Sequence, residues 1–238
     1  MKKKITTIIS LVIIWLFISL SIGKEVILPS PIDVFLRMIE MLMNIFFYST
    51  IFTSLIRVVI TVTISALFAF ALAYLAYQNK TVDELLTPII SLLQSIPTMS
   101  YVILSLVWTG SIQTVYIILT LVVFPLLYHN FLQGYKSIDR EYRDLILLYN
   151  PPLMYKMFCI YLPLIKGSLL SGISNALNLG AKVSVMAEIL AQVPNGIGRA
   201  IHYCHIDFDM IGVFAWTLWL VIIVLFFDFL INKYINRF

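Results

Sequence analysis

Four residues in the last quarter of the chain, His202, Cys204, His205 and Asp207, are of metal-binding types. Their spacing is not that of a standard zinc site, whose ligand pairs are set apart so that four donors can close on one ion. They read as a polar loop, and no metal is expected. The cysteines, Cys159 and Cys204, form no C-x-x-C pair and no disulfide framework. His129 stands alone, and no nucleophile, base and orienting group fall into a catalytic arrangement. No catalytic residue is therefore assigned, and the chain is not expected to be an enzyme. The chemistry left to it is the holding of charge. Lys182 and Glu188 lie inside a long apolar run, and Arg57 lies in another. A charge at bilayer depth costs about 2.5–3.5 kcal/mol on insertion scales, so it faces a cavity or a partner. Six residues apart on a helix, Lys182 and Glu188 point about 120° apart and cannot simply pair. Two readings stay open: with Arg57 they line a solute path that favours an anion, or each forms a structural ion pair.

The elements that must position these residues are membrane helices. Of 238 residues, 61% are apolar and 12% charged, against about 25% charged in an ordinary soluble domain. That excludes a soluble globular protein, a disordered chain and a disulfide scaffold. A net charge of +4 does not point to nucleic acid, because the basic residues are spread thinly between apolar runs. The first run, Ile5 to Gly23, follows Lys2, Lys3 and Lys4 and lacks a convincing cleavage site, so it reads as a retained helix rather than a signal peptide. Residues 1–27 form this helix and an outer turn. Residues 28–48 predict an interfacial amphipathic helix, with Ser30 as N-cap, Pro31 at its first position and Asp33 at capping-box spacing. Asp33, Arg37, Glu40 and Asn44 draw one polar stripe along it. Residues 49–238 form the core, with spans at about Thr53–Tyr77, Leu85–Trp108, Thr114–Tyr135, Leu164–Leu190 and Ile211–Ile231. The expected fold is thus all-α, with about six transmembrane helices. With the N-terminus inside, eleven Lys and Arg residues, from Lys2 to Arg237, fall on the cytoplasmic side. Four, Lys24, Arg37, Arg57 and Arg199, fall on or near the outer side. This follows the positive-inside rule and predicts both termini in the cytoplasm.

The longest polar stretch separates the fourth and fifth spans. Asp139, Arg140, Glu141, Arg143 and Asp144 put five charges into six positions. An apolar run then stops at Asn150, with Pro151 and Pro152 behind it, a helix C-terminus signal. The pattern predicts a short helix held outside the membrane.

This loop, residues 137–163, resembles the EAA motif of ABC-importer permeases, E-A-A-x3-G-x9-I-x-L-P. The same spacing gives Asp144-Leu145-Ile146, Asn150, Ile160 and Leu162-Pro163. Asp144 keeps the charge of Glu, whereas Leu145, Ile146 and Asn150 depart from the motif. Other stretches resemble the nitrate/sulfonate/taurine branch of that family: Leu28-Pro29-Ser30-Pro31, Ser54-Leu55-x-Arg57-Val58, Ile96-Pro97 with Leu106-x-Trp108-x-Gly110, Ala187-Glu188-Ile189-Leu190 with Gly196-Ile197-Gly198, and Ala215-Trp216-Thr217. The resemblance covers nearly the whole chain. It implies a type I importer permease fold, with Asp139 to Pro163 as the ATPase-coupling segment and Asp139, Arg140, Glu141, Arg143, Asp144, Leu145, Leu148, Asn150, Ile160, Leu162 and Pro163 as its residues. It implies as partners a cytoplasmic ABC ATPase subunit, an external solute-binding protein and a second permease copy, all at the bacterial inner membrane in the lipid bilayer. The substrate would be a small, possibly anionic solute such as nitrate, a sulfonate or taurine, with bicarbonate and vitamin or pyrimidine precursors also open. No phosphate-binding loop or acidic metal cluster is present in the sequence, so ATP and Mg belong to the partner and this chain binds no cofactor. The rivals are a secondary transporter or channel, which would not need the charged loop, and a membrane-embedded lipid-modifying enzyme, for which His129 is too little.

Overall fold

The computed structural model describes residues 2–235; Arg237 lies outside the described residues. All regular structure among the described residues is helical. Helix α1 spans Lys2–Ile22, α2 Pro31–Leu42, α3 Ile45–Gln78, α4 Lys80–Ser95, α5 Thr98–Trp108, α6 Ser111–Lys136 and α7 Arg140–Tyr149. The bent helix α8 covers Leu153–Leu164. It is followed by α9 Lys166–Leu190, α10 Ile197–Ile206 and α11 Met210–Ile235.

Three helices are long and apolar enough to cross a membrane alone: α3, α6 and α11 over Met210–Ile231. Two bent pairs add further candidates, α4 with α5 at 93° and α8 with α9 at 76°, and α1 holds a shorter apolar stretch, Ile9–Ile22. The expected six spans are thus three unbroken helices, or five spans if each bent pair is one, with α1 shorter. The reasons are local. Ile96, before Pro97, is extended at φ −75° and ψ 127°, because a residue ahead of proline is driven out of the helical region. The expected third span therefore breaks there, while Pro88 stays inside α4. The expected fifth span begins only at Lys166. Before it, Lys156–Tyr161 is wound with wider π-type turns, and Pro163 contributes no N–H, both known causes of sharp bends.

The segment from 28 to 48 is not one helix. The Ser30 hydroxyl accepts from the Asp33 N–H at 3.2 Å and donates to the Asp33 carboxylate at 2.6 Å, closing the expected cap. The chain then breaks at Asn44, whose side chain accepts from the Phe46 N–H at 2.9 Å and starts α3. Asn44 is therefore an N-cap rather than part of a stripe, and Ile45 to Phe52 belong to a 34-residue spanning helix.

The centre of the bundle is α3, α6 and α9, with Val62, Ala69, Ala73, Leu127, Phe131 and Ala176 in one buried cluster. Small residues bring the backbones close, as membrane helix pairs require. A Cβ on Gly134 would lie 2.8 Å from the Ser168 Cβ. At the other end, Val34 and Met38 of α2 pack on Ala215 of α11. Helix α1 is tied to this edge by Trp15, whose indole donates to the Pro29 carbonyl at 3.1 Å and stacks on Phe214.

Candidate functional site

Two polar constructions stand at opposite ends of the α3–α6–α9 bundle. The first is buried. Glu188 on α9 is 0% exposed and Arg57 on α3 is 4% exposed. The Arg57 Nη1 donates to Glu188 Oε1 at 2.7 Å and to the Asn195 carbonyl at 2.8 Å. The Ser54 hydroxyl lies 2.8 and 2.9 Å from the two Glu188 oxygens and accepts from the Ile197 N–H at 2.8 Å. The Gly198 N–H donates to Glu188 Oε2 at 2.9 Å. Ser54 and Arg57, three apart, share one face of α3, and Glu188 meets both from α9. Gly196, at φ +142°, lets the loop pass over the pair; a Cβ there would sit 2.6 Å from Glu188 Oε2 and 2.8 Å from Arg57 Nη1. The ion pair thus clamps the α9–α10 connection onto α3. A buried charge pair of this kind persists only when hydrogen bonds satisfy its remaining lone pairs, and here they do.

Of the three charges singled out from the sequence, the structure brings together Arg57 and Glu188. Lys182 stands apart. It is exposed on the surface of α9 and has no ion-pair partner within 4.0 Å among the described residues. Ser171 and Asn175, also exposed, share its helical face by 4- and 7-residue spacing.

The second construction is the charged loop. Asp139 and Arg140 begin α7, and Asn150 ends it in the left-handed conformation at φ 36° and ψ 55°, despite the proline that follows. Its N–H donates to the Ile146 carbonyl at 3.0 Å, and its side-chain oxygen accepts from the Lys156 Nζ at 2.8 Å. The helix has two faces. Ile146 is buried and Arg143 half-buried, at i and i+3. Tyr142, Leu145, Leu148 and Tyr149 are exposed, Leu148 by 78%. Asp139, Arg140, Glu141 and Asp144 are exposed and form no ion pair among the described residues. Ile160 is half-buried, and Leu162 and Pro163 are exposed on α8. The exposed face of α7 thus mixes large apolar side chains with unpaired charges.

Three groups were missed from the sequence. Asp228, in the last span, accepts from the Ser174 hydroxyl at 2.9 Å and from the Asn178 amide; an acidic residue inside an apolar run was the available signal. Ser54 stood in the Ser54-Leu55-x-Arg57-Val58 stretch but was given no role there, and Asn195 gave no signal, since it is not unusual until a partner is known. The expected polar loop is instead largely helical, since His202, Cys204 and His205 lie on α10, and among the described residues no group of three His, Cys, Asp and Glu is placed to hold a metal ion. Burial pushes the Cys204 thiol up, the Asp209 carboxylate adds to this and Arg37 opposes it, so the group behaves as a packed thiol rather than a thiolate ligand.

Comparison with known proteins agrees with this geometry. The family described as "Binding-protein-dependent transport system inner membrane component" matches residues 65–238. The "Formylaminopyrimidine transport permease protein ThiX" of Halalkalibacterium halodurans is 26% identical over 206 residues, covering 86% of this chain and 82% of the relative. A chain of the inward-facing MetNI methionine ABC transporter superimposes with a TM-score of 0.67 at 15% identity, over 82% of this chain and 98% of that one, a likeness of fold. The relative is named for formylaminopyrimidine rather than for nitrate, a sulfonate or taurine.

Proposed function

We propose that this chain, which belongs to the family of binding-protein-dependent transport inner-membrane components, uses α7 as the surface on which its ATPase docks. The chain is an all-helical permease subunit of an ABC importer, and ATP is hydrolysed by a separate subunit. The observation that carries the proposal is the division of α7: Ile146 and Arg143 turn inward, while Leu145, Leu148, Tyr149 and unpaired charges turn outward. Burying one leucine side chain contributes roughly 1.5–3 kcal/mol, so Leu145 and Leu148 supply the adhesion. The outward charges Asp139, Arg140, Glu141 and Asp144 then set orientation, which is what interfacial charges do best. Asn150, Ile160, Leu162 and Pro163 hold the α7–α8 hairpin in shape. The test is co-purification of the ATPase with the permease. Leu148→Glu is expected to abolish it with folding intact; undiminished binding would overturn the assignment.

In this reading residues 1–27 and the amphipathic segment after them flank a core running from α3 to α11. Two copies form the path, and a solute-binding protein delivers to the face bearing the Arg57–Glu188 clamp. The excess of basic residues near α7 supports a cytoplasmic position for that helix and for both termini, in the bacterial inner membrane. Lys182, Ser171 and Asn175 line the path, and the lysine favours an anionic or hydrogen-bonding solute; Arg57 and Glu188 serve each other. The relative's name brings formylaminopyrimidine, one of the open class of pyrimidine precursors, forward beside nitrate, sulfonates and taurine as solutes to try. Stimulation of ATPase activity in the full complex by each loaded binding protein separates them, and Lys182→Ala should lower uptake without loss of protein.

A further inference from the structure

Helix α7 has ten residues, short connections on either side, and no extensive packing against any other helix. Its hold on the bundle rests on few side chains. Ile146 and, in the preceding turn, Ile138 are buried. Arg143 does more. Its guanidinium lies 5.3 Å from the centroid of Tyr77, and its Nη2 donates to the Ile138 carbonyl at 3.4 Å. Its Nε is buried with no hydrogen-bond partner, so the aromatic face is the main thing the inner edge of the cation meets.

Tyr77 is one of four rings that join three helices. It stacks on Tyr135 of α6 at 5.6 Å and 22°, and meets Tyr161 of α8 edge-on at 6.0 Å. Tyr74, one turn earlier on α3, lies 5.4 Å from Tyr161 and 5.9 Å from Tyr135. Tyr135 and Tyr161 close the ring at 5.7 Å. The Gln78 amide fixes the Tyr161 hydroxyl at 3.1 Å. Tyr74, Tyr135 and Tyr161 are buried, and the hydroxyls of Tyr77 and Tyr135 lack partners. The socket is therefore close-packed, and a cation over a ring at such a partly buried site is held more strongly than at an exposed one. A planar guanidinium can lie along a ring face, which an ammonium cannot.

We propose that Arg143 is the positioning residue that locks α7 to the ends of α3, α6 and α8, so that a push on α7 moves three helices together through the tyrosine socket. This rests on the reading of α7 as the ATPase-docking helix. Arg143 faces inward, away from Leu145 and Leu148, and so transmits the displacement without making the contact that produces it. Asp144, its neighbour, is exposed and belongs to the docking face.

The test is hydrogen exchange, read by mass spectrometry, on the full-length permease in lipid nanodiscs, alone and in complex with its ATPase, without nucleotide and with ATP plus vanadate. Arg143→Ala should raise exchange of the 140–149 amides about tenfold in the permease alone, while the ATPase still co-purifies. In the complex, the nucleotide-dependent change should persist in α7 and vanish from residues 70–78 of α3. Tyr77→Leu should reproduce this, Tyr77→Phe should not, and Arg143→Lys should recover part of the protection. Unchanged exchange in Arg143→Ala, or equal effects of Tyr77→Phe and Tyr77→Leu, would overturn the proposal. So would loss of ATPase binding in Arg143→Ala, which would make Arg143 a docking residue. The docking reading fails separately, if the ATPase does not protect α7 of the unaltered chain. Protection of α7 in the permease alone still judges the lock in that case.

Discussion

The Arg57–Glu188 clamp and helix α7 are both rich in charge, and they treat it in opposite ways. At the clamp, each charge is removed from solvent and each carboxylate oxygen meets a donor from the same chain. On α7 the charges of Asp139, Arg140, Glu141 and Asp144 are solvated while Arg143 turns inward, and none of the five has an ionic partner within the described residues. The clamp is a finished structure, and its removal would be felt as instability. The helix is half of a structure, and its alteration would be felt only when a partner is present. Burial decides between the two, because breaking a buried pair strands an uncompensated charge whereas an exposed pair contributes little.

The largest expected effect is therefore at the clamp. Glu188→Ala leaves Arg57 buried without its carboxylate and should destabilise the protein by about 3–5 kcal/mol, seen as loss of the monodisperse peak and a lowered Tm in detergent. A normal Tm would show that water reaches the pair. Gly196→Ala tests the same region from the backbone side. With φ at +142° and a Cβ that would collide with Glu188, it should cost about 1–3 kcal/mol, again read as Tm. On α7 the comparison inverts. Asp144→Lys should leave Tm unchanged, within about 0.5 kcal/mol as for other surface substitutions, yet uncouple ATP hydrolysis from uptake in proteoliposomes. Uptake at the ordinary ratio to ATP hydrolysed would erase the contrast between the two regions. Asn150→Ala, which removes the polar side chain that tolerates the left-handed position and accepts from Lys156, should destabilise α7 locally by about 1–2 kcal/mol, visible as faster hydrogen exchange there, with Asn150→Gly less affected. The smallest effect is at Cys204. Its raised thiol should react with maleimide at pH 7 more slowly than a free thiol does, and the rate should climb as pH rises toward its elevated pKa.

The two regions also differ in how legible they were. Helix α7 could be read in advance, because its signals are local: a cluster of charges, an apolar run, an Asn before two prolines. Even there the left-handed Asn150 was in doubt from sequence, since a following proline disfavours helical geometry for its neighbour; the hydrogen bond from Lys156 helps hold it. The capping of α2 by Ser30 and Asp33 was equally local and equally legible. The clamp was not. Glu188 and Arg57 were both noticed, but they lie 131 positions apart, and no periodicity joins residues on different helices. Asp228 was passed over for the same reason, since its meaning comes from Ser174 and Asn178 on another helix. The bends at Ile96 and at Ile165 fell between, because membrane helices tolerate some prolines and break at others. Pro88 stays within α4, while Pro97 ends a helix.

By itself the sequence determined that this chain lives in a bilayer, that its basic residues are spread thinly between apolar runs, and that a short charged helix stands between two apolar segments. Those properties are sums over composition or patterns within a few turns, which the chain carries whatever its tertiary contacts. Only the tertiary structure decided which charges cancel and which remain. It buried Glu188 against Arg57, left Lys182 on the open face of α9, and set Arg143 against the ring of Tyr77. The physical reason is that the effective strength of a charge is set by its surroundings, and those surroundings are supplied by residues far away along the chain.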